Sequence, residues 1–339
     1  MDPSITASYK AGLFGIPTNA ETAKVILIPV PWEVTTSYGG GTAGGPLAVL
    51  KASPQIDLFD LELGTNYEKG YHLLPIPSDL ENLNRSMRPK ALKVREALEE
   101  RGELSADEQK LVLEVNEACE KMANWVYSQA KTYLQQNKMV AVLGGDHSSP
   151  EGLIRAVSEQ HKGDFGVLHI DAHADLREAY QGFKRSHASI MFNVMNASWK
   201  PKNLVQVGIR DFSEEEYDMT QKRQDIDTFF DLNLQKSQMA GETWKSLCQQ
   251  IIDKLPKKVY VSFDIDGLNP TFCPHTGTPV PGGLSFDQAN YLIGQVVESG
   301  RQIVGFDLNE VAPGQEDEWD ANVGARVLYK MCGWSVAEV

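Results

Sequence analysis

Short, nearly continuous apolar runs rich in valine and isoleucine recur along the chain, and this repeat constrains the fold more than any other feature. The runs are Val25–Val30, Met139–Leu143, Gly166–Ile170, Leu204–Ile209, Val259–Phe263 and Ile303–Leu308. A strand exposed on one face alternates apolar and polar residues, whereas a run without alternation belongs to a strand covered on both faces. Longer stretches with apolar residues at three- and four-residue steps separate the runs, as helices packed on a parallel sheet require. Ala106–Gln136 is the clearest of them, with Leu111, Val115, Ala118, Met122, Val126 and Ala130 in register and Asp107 and Glu108 near its start. Ser285–Glu298 repeats the pattern behind Ser285 as N-cap, and Leu153–Gln160 follows directly on the turn Gly144–Pro150. The expected fold class is α/β: a single domain of three α/β/α layers around a mainly parallel central sheet.

No internal repeat, low-complexity tract or flexible linker divides the 339 residues. Residues 1–21 precede the first strand and read as an N-terminal extension to a domain over 22–339. Within that domain, 64–102 is polar, holds Pro75, Pro77 and Pro89, and fits no strand of the repeat, so it reads as an insertion or irregular excursion.

Three of the runs lead into clusters of metal-type ligands. The first gives Gly144-Gly145-Asp146-His147-Ser148, the second Asp171-Ala172-His173-Ala174-Asp175, and the third Asp264-Ile265-Asp266-Gly267. In open parallel sheets ligands bind beyond the carboxyl ends of the strands, which brings the three clusters to one edge. Residues two apart in an extended segment point to the same side, so Asp171, His173 and Asp175 converge, as do Asp264 and Asp266. Taken singly, each is an ordinary cap or turn residue. With His147 they make four carboxylates and two imidazoles, more than the three protein ligands of a catalytic zinc. That set suits two divalent ions per chain, manganese first, with nickel and cobalt accepting similar donors.

A formal charge of −14 argues against nucleic acid or an anionic membrane as partner, because both would meet a repulsive field; a small cation would not. The N-terminus lacks a basic-then-apolar leader pattern, and no apolar run approaches the about 20 residues of a membrane helix, so the expectation is a cytoplasmic protein. Cys119, Cys248, Cys273 and Cys332 lie far apart, form no CxxC pair and are expected as reduced, mostly buried thiols.

Leu143-Gly-Gly-Asp-His-Ser148, His169-Ile-Asp-Ala-His-Ala-Asp-Leu-Arg177 and Ser262-Phe-Asp-Ile-Asp-Gly-Leu-Asn-Pro270 resemble the three signature motifs of the ureohydrolase superfamily. This superfamily contains arginases, agmatinases, guanidinobutyrases and formimidoylglutamases. The likeness continues through Thr276–Pro279 and Gly282–Leu284 to Gly305–Val311, and covers roughly residues 22 to 335. It implies an arginase-like fold and a metal-bridging hydroxide that attacks a guanidino carbon, releasing urea and an amine. One metal falls to His147, Asp171, Asp175 and Asp264, the other to His173, Asp171, Asp264 and Asp266. By the same resemblance Asp175 relays a proton, His187 shuttles it to the leaving amine, and Glu310 grips the guanidinium, with Asp307 supporting from behind. His161 and His169 read as structural, and Trp32 and Glu33 as either pocket lining or core and turn residues. A homo-oligomer, trimer or hexamer, is implied by the resemblance only.

Departures from the family pattern bear on the substrate. Arg177 stands where arginases carry an asparagine, and Ser213 where they carry an aspartate, which argues against arginase activity. Asp175-Leu176-Arg177 is similar to formimidoylglutamases, whereas Ser186-His187 is similar to agmatinases. Arg177 either reaches the pocket, favouring a carboxylate tail, or lies in a structural ion pair. His275, where a small residue is usual, is positioned to trim the cavity. Agmatinase-like hydrolysis ranks first, with guanidinobutyrate, guanidine, arginine and formimidoylglutamate as alternative substrates. A single-zinc deacetylase or a non-catalytic binding protein of the same fold is the remoter reading.

Overall fold

The computed structural model describes residues 8–338, in which each of the six apolar runs forms a strand. In chain order the main elements are β1 (Val25–Pro29), α1 (Gly45–Ala52), β2 (Tyr71–Leu73), α2 (Ser78–Arg101), α3 (Ala106–Leu134), β3 (Met139–Leu143), α4 (Glu151–His161), β4 (Gly166–Ile170) and α5 (Ile190–Asn196). They continue with β5 (Asn203–Ile209), α6 (Glu214–Lys222), β6 (Ile226–Phe230), α7 (Asp231–Met239), α8 (Trp244–Asp253), β7 (Lys258–Asp264), α9 (Phe286–Glu298), β8 (Gln302–Asn309) and α10 (Trp319–Ser335). The eight strands form one sheet in the order β2-β1-β3-β8-β7-β4-β5-β6, and all of these pairings are parallel.

Period-two alternation assigns each strand residue to a layer. Val25 and Leu27 of β1, Ala141 and Leu143 of β3, and Leu168 and Ile170 of β4 join α1, α8, α9 and α10 in one core. Ile28, Val140, Val142 and Val167 face the opposite core with α2, α3, α4 and α5. The sheet is therefore buried on both faces, which is why its central strands carry no polar alternation. All four cysteines are free and buried. No helix among the described residues is long and apolar enough to cross a membrane.

Two parts of the sequence reading need correction. The polar stretch 64–102 is not irregular: it contains β2, which pairs with β1, and the 24-residue helix α2. Pro89 is tolerated inside α2 because it lies on the exposed face, where the carbonyl it deprives of a donor turns to solvent. The N-terminal extension is likewise part of the body of the fold. Leu13 and Phe14 are buried, the Phe14 amide donates to Ser53 Oγ at 2.8 Å, and its ring packs edge-on against Tyr71 and Tyr329. Residues 1–7 of that extension lie outside the described residues.

Candidate active site and metal centre

β3, β8, β7 and β4 are consecutive neighbours in the sheet, and their carboxyl ends carry His147, Glu310, Asp264 with Asp266, and Asp171 with His173 and Asp175. The loops meet backbone to backbone. A Cβ on Gly267 would stand 2.8 Å from the Asp171 nitrogen, so only glycine lets the β7 loop lie against the end of β4. Asp175 and Glu310 adopt left-handed backbone angles, φ 54° and 61°, and such strain costs about 1–3 kcal/mol per residue. The surrounding packing sustains it and turns both side chains towards the cluster.

His147 shows what the cluster is built to hold. Its Nε2 lies 2.9 Å from Ser262 Oγ, and that hydroxyl donates to Asp307 Oδ1 at 3.0 Å. A hydroxyl donating to a carboxylate accepts from the imidazole, so Nε2 carries the ring proton and Nδ1 presents its lone pair. Nδ1 faces Asp171 Oδ2 at 3.0 Å, Asp175 Oδ2 at 3.2 Å and Asp264 Oδ2 at 3.3 Å. Burial lowers the His147 pKa, but the contacts with Asp171, Asp175 and Asp264 outweigh it and raise the ring well above its ordinary value, so Nδ1 calls for a cation, either a proton or a metal ion. Burial, with the charges of Asp266 and Asp171, pushes the Asp264 carboxyl well above its ordinary value; burial and Asp171 push Asp175 up to about 6. The carboxylates pull both His147 and His173 towards the cationic form, and the donor set of the cluster fits a divalent ion in that place.

A second group adjoins the first. His173 Nδ1 lies 3.1 Å from Asp266 Oδ2 and 3.5 Å from Asp171 Oδ1, so Asp171 turns one oxygen towards each imidazole as a bridging carboxylate does. Behind it, Thr228 Oγ1 donates to Gln206 Oε1, Gln206 Nε2 donates to His169 Nδ1, and His169 Nε2 is left to donate to Asp171 Oδ2 at 2.8 Å. His169 is thus the orienting partner of a ligand rather than a ligand, although it lies close enough to be grouped with His147, Asp171 and Asp175.

Above the two groups is a cavity of about 130 Å³ lined by Ser37, His173, Asp175, Arg177, Tyr180, His187, Ala188, Asp211, Glu216 and Thr278. His187 is half-buried in its wall. Ser186 Oγ lies 3.2 Å from its Nδ1 and Ser37 Oγ 3.3 Å from its Nε2, while burial and the nearby His173 lower its pKa to about 3. Glu310 Oε1 accepts the His147 amide at 2.9 Å, and its buried Oε2 has no protein partner. Arg177 is in an ion pair: its Nε lies 3.4 Å from Glu216 Oε2, and its guanidinium stacks over Tyr180 at 4.7 Å.

Two of the residues that bear on substrate choice by sequence, Ser213 and His275, lie outside the cavity lining. Ser213 does not face the cavity; it is the N-cap of α6, where its Oγ accepts the Glu216 amide and Glu216 Oε2 accepts the Ser213 amide. His275 does not trim the cavity either. Its amide and Nδ1 are held by the two oxygens of buried Asp320 at 2.9 and 2.8 Å, outside the cavity lining. Trp32 is a core residue, and Glu33 Oε2 accepts the amides of Gly41 and Ala43, closing the glycine-rich loop. Sequence alone does not mark Ser37, Tyr180, Asp211, Glu216 and Thr278 as cavity residues. Of these only Glu216 left a readable local signal, the Ser-x-x-Glu capping box with Ser213.

Fold and donor set together define a metal-dependent hydrolase of the arginase type, and the model of the arginase family matches residues 23–333. The chain belongs to the arginase family. It is 30% identical over 330 residues to the N(1)-aminopropylagmatine ureohydrolase of Thermus thermophilus, covering 94% of this chain and 95% of that protein. A Synechocystis protein of the same name is 29% identical over 319 residues, covering 94% and 90%. Among solved structures, the agmatine ureohydrolase of Thermoplasma volcanium superposes with a TM-score of 0.70 at 22% identity, over 94% of this chain and 92% of that one, a likeness of fold. The protein is therefore a ureohydrolase, a hydrolase acting on the C–N bonds of guanidino groups.

Proposed function

We propose that this ureohydrolase acts on a guanidino compound with a cationic tail, of the agmatine or N(1)-aminopropylagmatine class, releasing urea and a di- or polyamine. The supporting observation is the charge at the mouth of the cavity. Arg177 is already paired with Glu216, whereas Asp211 is two-thirds exposed, with His173 Nε2 as its nearest charged partner at 3.9 Å. An ammonium tail finds a carboxylate there, whereas the guanidinium of Arg177 in the lining already has a carboxylate beside it. The relatives named for N(1)-aminopropylagmatine, matched along nearly their whole length, agree with that choice.

His147, Asp171, Asp175 and Asp264 would hold one divalent ion and His173, Asp171, Asp264 and Asp266 the other, manganese being the proposed element. Such a pair supplies Lewis acidity that brings the pKa of water towards neutrality. The unpartnered Glu310 Oε2 is the acceptor for guanidinium N–H groups, fixing the head by charge-assisted hydrogen bonds. Asp175 takes the proton released by the added water. His187, in the cavity wall, is placed to carry a proton on a ring nitrogen to the departing amine. The reaction balances as one guanidinium plus one water giving one urea and one ammonium. A cytoplasmic setting and a homo-oligomer complete the proposal.

Urea release from agmatine, N(1)-aminopropylagmatine, 4-guanidinobutyrate, arginine and guanidine, with formamide scored for formimidoylglutamate, tests it. The cationic-tail compounds should give the highest kcat/KM. A preference for 4-guanidinobutyrate or arginine would refute the tail assignment.

A further inference from the structure

Helix α2 carries a polar stripe whose own side chains are neither in the cavity lining nor among the ligands. Asn84, Arg88 and Arg95 fall within about 40° of one another at 100° per residue, so they share one face. All three engage the backbone of the loop that follows β1. Asn84 Oδ1 accepts the Glu33 amide at 2.8 Å. Arg88 Nη1 donates to the carbonyls of Val34 at 3.2 Å and Thr36 at 2.7 Å, and Arg95 Nη1 donates to those of Thr36 and Ser37. The stripe borders the face that buries Leu80, Ala91 and Val94 in the core, so it is a rigid support.

The side chains of that loop point the other way. Thr35 Oγ1 accepts the His187 amide at 3.3 Å, and Ser37 Oγ lies 3.3 Å from His187 Nε2. Further along, the Gly39 amide donates to the Gly277 carbonyl at 2.9 Å, tying the loop to the segment that carries Thr278 into the cavity. Arg88, which bridges two carbonyls, is thus a backbone clamp rather than half of an ion pair, whereas Arg95 also has Glu99 at 3.3 Å from its Nε.

We propose that the Asn84–Arg88–Arg95 stripe of α2 is a positioning device that sets the ring of His187 through Thr35 and Ser37, with Arg88 as its central positioning residue. The assignment rests on the reading of His187 as the proton carrier to the leaving amine. Arg88 touches no reacting atom, and it reaches His187 from behind the loop.

The test is a double-mutant cycle on the metal-loaded enzyme with Arg88→Ala, His187→Ala and the pair, metal content being checked in each. Arg88→Ala should lower kcat on the order of 10-fold, the scale of a misplaced catalytic group. The double variant should be no slower than His187→Ala by more than about twofold, because residues acting through one another are not additive. Arg88→Lys, which keeps a charged nitrogen able to donate to two carbonyls but on a shorter, unbranched head, should restore part of the loss, and Glu96→Ala on the exposed face of α2 should leave turnover unchanged. Hydrogen exchange gives a readout independent of turnover: the amides of residues 33–40 should exchange faster in Arg88→Ala, while those of β4 keep their rates. Additive losses, or unchanged exchange in 33–40, overturn the clamp alone. Wild-type turnover in His187→Ala overturns the proton-transfer reading and the clamp with it. Should Arg88→Ala fail to fold, Asn84→Ala and Arg95→Gln enter the same cycle, with the same outcomes deciding.

Discussion

Replacing Asp211 by asparagine removes one negative charge from the cavity mouth and almost no volume. Two unit charges about 4 Å apart interact by about 1 kcal/mol in water and about 4 kcal/mol at the effective dielectric near a protein surface. Asp211 has a side chain 68% exposed, so the lower figure governs. About 1 kcal/mol is about a fivefold change, so kcat/KM for agmatine should fall about fivefold in Asp211→Asn. For 4-guanidinobutyrate the repulsion is relieved, and kcat/KM should rise by a similar factor. Guanidine, which has no tail, should change less than twofold. The agmatine effect should shrink as salt is raised from about 0.01 to 1 M, since the screening length falls from about 30 to 3 Å. The assay is initial-rate urea release at several ionic strengths. Equal losses on all three substrates would refute tail recognition and place Asp211 in the support of His173 instead.

Elemental analysis of purified protein should find two divalent ions per chain, and Asp264→Asn should retain at most one and lose most activity, because an amide bridges two cations poorly; one tightly held zinc in an active enzyme would contradict this. His187→Ala should keep its metal and lose on the order of 10²-fold in kcat, the scale of removing a general acid or base, and unchanged turnover would remove His187 from proton transfer. The hydrogen bond from His275 to Asp320 raises the histidine pKa above its ordinary 6.5. The stability it adds is then fully present below about 6.5 and lost as pH rises through the raised value. His275→Gln should accordingly lower the thermal midpoint more at pH 5.5 than at pH 8.5, and a larger gap at the higher pH would show the sign to be wrong.

The central strands were legible because burial on both faces leaves them as unbroken apolar runs. β2 has three residues and β6 lies at the sheet edge with Asp227 and Thr228 in it, so neither presents such a run. α2 was hidden for a different reason. Pro89, the prolines ahead of it and its charges suggest a loop, but Pro89 falls on the exposed face and Arg88 and Arg95 satisfy backbone carbonyls elsewhere in the fold. The ligands were legible because each cluster is local in sequence and the two-residue repeat of a strand end fixes its direction. The cavity walls were not: Ser37, Glu216 and Asp211 meet only after crossovers between distant strands. Ser213 and His275 misled because sequence gives the position of a side chain and not its direction. A helix N-terminus claims the first, and a buried carboxylate claims the second.

Turnover in ¹⁸O-labelled water tests the central claim most directly. Addition of one water to a guanidino carbon, with departure of the amine, places one labelled oxygen in each urea and none in the amine. Metal-loaded protein with agmatine or N(1)-aminopropylagmatine should give urea carrying one ¹⁸O per turnover, in amounts equal to the amine formed. Amine formed without urea, or urea that carries no label, would contradict the account.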